Sequence, residues 1–241
     1  MMTAADVQQK KRLICFSLSI PRNGHVNDLS AYAHNVPMPD LDEIDIAAIV
    51  EPKNTVIVKV NFSMEIFDQV FSKLEMINAL EYLSGASEKH KIPQLFVQTT
   101  GTPAVETNFQ YHNYSRIKEQ RRKNRTAPKS ILDSGMSSDF ERFTPKSEDR
   151  VLKISSGDLF SSEEFLDILR DEGRKTCMLT GFFTELEILR TSASSMEHGY
   201  YGVTVSDATS TYSERIYYEA LDLISQSTEV IDTRDLMKIW P

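Results

Sequence analysis

Apolar positions along this chain follow two periods. Short runs rich in β-branched and aliphatic residues recur at RLICFSLSI (12–20), TVIVKVN (55–61), LFVQTT (95–100), RVLKIS (150–155), KTCMLTG (175–181), YGVTVSD (201–207) and TEVID (228–232), and each predicts a strand. Between them the spacing turns helical. Ile66, Phe67, Val70, Phe71, Leu74, Ile77, Leu80 and Leu83 predict a helix over 63–89. Ser161 or Ser162 caps a helix running to about Asp171, with Glu163 and Glu164 in its first turn and Gly173 as its stop. Further helices are predicted over 184–198, closed by Gly199, and over 211–226. Three stretches lack either period: a polar, flexible 1–11, a proline-bearing 22–54 and an irregular arm over 102–150.

Strands alternating with helices across short connections predict βαβ units, hence a mainly parallel sheet covered on both faces. The expectation is one three-layer, Rossmann-like α/β domain over 12–241. Composition agrees: of 241 residues, 40% are hydrophobic and 26% charged, so the chain can bury a core along most of its length. No apolar run reaches the roughly 20 residues of a membrane helix, and the first residues lack the apolar stretch of a secretory leader. Cys15 and Cys177 sit inside apolar runs and read as buried free thiols, which suits a cytoplasmic protein. The formal charge of -8 argues against a nucleic-acid partner. The exception is 116–129, with seven basic side chains against Glu119. It reads as an arm at a subunit interface, a solvated face, or a site for an anionic partner.

One segment carries a more specific pattern. LTGFFTELEILRTSASSMEHGYYGVTVSDATS (179–210) joins a strand ending in Gly181, Thr184, a helix, the turn at Gly199 and a strand reaching Asp207–Ala208. This resembles the isochorismatase-like (cysteine hydrolase) superfamily. VLKISSGDLFSS (151–162) is similar to that family's lysine-bearing strand, with Lys153 on the lysine, and RLICFSLSI is similar to its first strand, which makes 22–62 an insertion. The resemblance implies the isochorismatase-like fold and a homo-oligomer.

It also implies a triad. A cysteine thiolate at a helix start is the nucleophile, an aspartate takes its proton and a lysine holds the aspartate. Here the nucleophile position is Glu187, the aspartate position falls on Ser17, and Lys153 alone keeps its type. Phe182, Phe183 and Thr184 fall where the family shapes its pocket. Cys177 is mid-strand and cannot replace the nucleophile. The isochorismatase branch dispenses with cysteine but still needs the aspartate as an acid, and Ser17 cannot supply that proton. Glu187 is expected within about 4 Å of Lys153, held ionised by it. The nicotinamidase Asp-x-His metal segment is missing and His112 stands alone, so neither a metal nor another cofactor is expected. The resulting expectation is a protein whose hydrolase site is lost and which binds a small-molecule ligand or a protein partner. The alternative is an active hydrolase on a small cyclic vinyl ether or amide, using Lys153 and Glu187.

Overall fold

Six apolar runs become six strands in the computed structural model, which describes residues 45–100, 117, 118, 120, 121, 136–147 and 149–241. They are β1 (Thr55–Val60), β2 (Gln94–Thr99), β3 (Val151–Ile154), β4 (Thr176–Phe182), β5 (Tyr201–Ser210) and β6 (Glu229–Ile231). All pairings are parallel, in the order β3-β2-β1-β4-β5-β6. The run 12–20 lies outside the described residues, so β1 is the first strand among them. The described residues fall in one unit, 44–241.

β1 and β4 are buried at every position. Strands in the middle of a parallel sheet have both faces covered, so they read as continuous apolar runs rather than alternating ones. Helices α1 (Ile46–Ile49), α2 (Met64–Phe67), α3 (Lys73–His90) and α4 (Met136–Glu141) precede β3, and α5 (Glu163–Glu172), α6 (Leu189–Ser195), α7 (Glu214–Ile224) and α8 (Thr233–Ile239) follow it. On one face Ile57, Met178 and Val203 pack with Met76, Leu80 and Leu83 of α3 and with Leu236 and Trp240. On the other, Val58, Val97 and Leu179 pack with Phe165 and Leu169 of α5 and with Ile188 and Ile224. Three layers result.

The helix predicted over 63–89 is two helices. Apolar spacing continues through the break, but Asp68 ends α2 and the chain restarts from Ser72, whose hydroxyl lies 2.7 Å from that of Ser210. That tertiary bond is invisible to periodicity. Helices α1, α4 and α8 fall where no helix was predicted. Asp207, part of the family pattern, accepts the Thr233 backbone N–H at 3.1 Å and so tethers the start of α8 to β5. The Trp240 indole N–H donates to the Val50 carbonyl at 2.9 Å, and its ring is buried in the core. Of the basic run, Lys118 and Arg121 are described, both helical and exposed; its other basic residues lie outside the described residues.

Candidate functional site at the carboxyl ends of β1, β2 and β4

In an open parallel sheet, ligands bind beyond the carboxyl ends of the strands, where the strand order reverses. Here β1 is followed in sequence by β2 on one side and borders β4 on the other. Close approach of β1 and β4 requires a glycine: Gly181 has φ +106, and a Cβ there would lie 2.1 Å from the Val60 carbonyl oxygen. The peptide that follows, Phe182–Phe183, is cis. Thr184–Ile188 then forms a π-helical turn leading into α6.

Three side chains meet at this edge. Asn61, just past β1 with φ 54, donates its amide N–H groups to the Phe182 carbonyl at 3.1 Å and to Thr99 Oγ1 at 2.9 Å. Its Oδ1 accepts the Thr99 backbone N–H at 2.8 Å. Asparagine adopts this left-handed conformation more readily than most residues. The Thr99 hydroxyl reaches Glu187 Oε1 at 3.3 Å, and Glu187 Oε2 accepts the Phe183 N–H at 3.1 Å. Glu187 therefore bonds back onto a backbone donor one turn earlier in its own segment. The network holds an amide, a hydroxyl and a carboxylate, but no thiol.

The structure separates the residues that the sequence grouped. Glu187 sits in the first turn after β4, as expected. Lys153 is exposed on the edge strand β3, paired with Gln98, and forms no ion pair with Glu187. The reason is positional: β3 lies three strand spacings, about 14 Å, from β4, and Lys153 points away from buried Leu152 and Ile154. Ser17 lies outside the described residues, and the strand end beside Gly181 carries Asn61 instead. Phe183 lines the cavity described next, whereas Phe182 and Thr184 are core. Phe182 is fully buried among Phe62 and Phe140, and the Thr184 hydroxyl pairs with that of Thr209 at 3.1 Å. Burial pushes the Cys177 thiol far above its ordinary pKa, so it carries no thiolate.

A cavity of about 660 Å³ opens beside the network, lined by Asn61, Thr99, Glu187, Phe183, Tyr212 and Lys59 among others. Lys59 also lines an adjoining cavity of about 610 Å³. It is 5% exposed, and its ammonium faces the rings of Phe96 and Phe62, 4.9 and 5.6 Å from their centroids. Desolvation lowers its pKa to about 8, against a smaller opposing pull from Asp149. Neither Asn61 nor Lys59 is among the residues singled out from the sequence. The available signals were a lone charge inside an otherwise apolar run, TVIVKV, and an asparagine directly after it. Among the described residues no cluster of His, Cys, Asp or Glu could hold a metal ion.

The isochorismatase domain model matches residues 55–235. The fold is similar to that of a cysteine hydrolase from Pseudomonas syringae pv. phaseolicola 1448A, at 15% identity and TM-score 0.59, over 79% of this chain and 94% of that one. It is also similar to the MAR1 ribonuclease from Caenorhabditis elegans, at 13% identity and TM-score 0.55, over 78% and 82%. A third similar structure is an isochorismatase-like hydrolase from Alkaliphilus metalliredigens, at 16% identity and TM-score 0.54, over 78% and 100%. No curated protein matches in sequence.

Proposed function

The chain belongs to the isochorismatase domain family, and from that premise we propose that it is a member whose cysteine-hydrolase chemistry is lost and whose cavity is kept to bind a small ligand or a protein partner. One observation carries the reading. The carboxylate of Glu187, in the place the family pattern gives to the nucleophile, is bonded to the Phe183 N–H and the Thr99 hydroxyl. A carboxylate so held occupies a backbone donor that a hydrolase needs for its oxyanion. Asn61 supports the same reading, because an amide at the strand end offers no proton acceptor of useful basicity. The alternative that pairs Lys153 with Glu187 loses its geometric basis, given the placement of Lys153. The homo-oligomer implied by the family resemblance is part of the proposal and is read by sedimentation velocity.

Purified protein is expected to leave nicotinamide and isochorismate unhydrolysed above background, before and after iodoacetamide. Turnover abolished by iodoacetamide would overturn the reading. The combined change Glu187→Cys and Asn61→Asp tests whether the scaffold is only disarmed. Each single change should remain inactive, because a thiolate and its base act as one unit.

A further inference from the structure

Lys59 stands out among the charged residues of the core. It is 5% exposed and lines both cavities, and among the described residues no hydrogen bond or ion pair reaches its amine. Its close companions are the rings of Phe96 and Phe62. Desolvating an ammonium is expensive, and the usual remedies are a counter-charge or loss of the proton. The charged groups that share its cavities are Glu65 and Glu187 in the first. In the second they are Glu81, Glu88 and Asp149, with Arg142 and Lys146. Of these Asp149 pulls the pKa of Lys59 upward, and desolvation outweighs it. Burial leaves a far larger share of Lys59 as neutral amine than an exposed lysine has, and a neutral amine in a cavity is a nucleophile.

We propose that Lys59 is a carbonyl-reactive amine, and that the 660 Å³ cavity admits a neutral aldehyde or ketone which Lys59 captures reversibly as an imine. The amine lone pair forms a C–N bond to the carbonyl carbon as the carbonyl π bond breaks, and one amine hydrogen passes to the carbonyl oxygen. The resulting carbinolamine loses that oxygen as water together with both former amine hydrogens, leaving a C=N bond. Water returning to the cavity reverses the step. A protonated imine keeps its positive charge over the same two rings, so the aromatic contacts persist in the adduct. The inference rests on the cavity being a ligand site, as in the proposed function, and not on the loss of hydrolysis. A mass tag on Lys59 is read without any turnover, so the two can fail separately.

The test treats full-length protein with limiting benzaldehyde and cyanoborohydride near pH 7.5, followed by intact mass and peptide mapping. At that pH the neutral fraction of an amine with pKa about 8 is roughly 200 times that of an ordinary lysine. The expected result is one benzyl adduct on the Lys59 peptide, formed at least about tenfold ahead of any other lysine. Its rate should rise with pH to a midpoint near 8, not above 10. Lys59→Met and Lys59→Arg should abolish it, with native circular dichroism confirming that both fold. Formaldehyde replaces benzaldehyde to remove any barrier of size. The proposal is overturned if Lys59 stays unmodified by both aldehydes while exposed lysines react. It is equally overturned if benzoate protects Lys59 far better than neutral benzamide does, since that marks an anion site.

Discussion

Lys59 carries a stability consequence whose sign can be worked out. Its native pKa, about 8, lies below the ordinary lysine value, so between about pH 8 and 10.5 the unfolded chain binds more protons than the native one. Stability attributable to this residue therefore rises with pH across that window, and the penalty is complete below it. Lys59→Met should stabilise the protein by about 1–3 kcal/mol at pH 7, and the difference should shrink toward pH 10. Urea denaturation of both proteins at the two pH values measures it, and a pH-independent difference would contradict the burial argument. Truncating Glu187, by contrast, should destabilise the protein. Glu187→Ala leaves the Phe183 N–H and the Thr99 hydroxyl without this acceptor and should cost about 1–2 kcal/mol. Glu187→Gln keeps an acceptor oxygen and should cost less.

At the scale of elements, β4 meets its tightest constraint at Gly181. Gly181→Ala places a methyl group against the Val60 carbonyl oxygen, in a conformation L-residues avoid, and no flexible side chain can yield there. A loss of about 3 kcal/mol or more is expected, seen as a lower thermal midpoint or as insoluble protein. The central strands β1 and β4 are legible in the sequence because a strand covered on both faces must be apolar throughout, the outer strands keep short apolar runs with exposed positions alongside buried ones, and Gly173 and Gly199 stop their helices in the left-handed conformation expected of them. The break between α2 and α3 is not legible, because Phe67, Val70 and Leu74 keep helical spacing across it. The site is half legible. Glu187 follows from an ungapped pattern after Gly181, but Lys153 has the right residue type on a strand too far away. Asn61 was hidden because RLICFSLSI has the same apolar character as TVIVKV and competes for the role of first strand. Residue type and spacing do not encode the lateral order of strands in a sheet.

For the whole molecule, no described helix is long and apolar enough to cross a membrane. The sheet's two faces belong to different sets of helices, and the face covered by α3 is closed in part by a long-range bond, Trp240 to Val50. The sequence has one tryptophan, so that bond makes the protein its own optical probe. Native emission should be blue-shifted and resistant to acrylamide, because the indole is 2% exposed and its N–H is engaged by a carbonyl instead of water. Undocking of α8 would redden that emission even while the sheet remains intact. Fluorescence and far-ultraviolet circular dichroism recorded along one denaturation therefore report two different events. Coincident curves would mean that this seam opens only when the sheet does. An earlier fluorescence transition would identify α8 as a unit that lets go first.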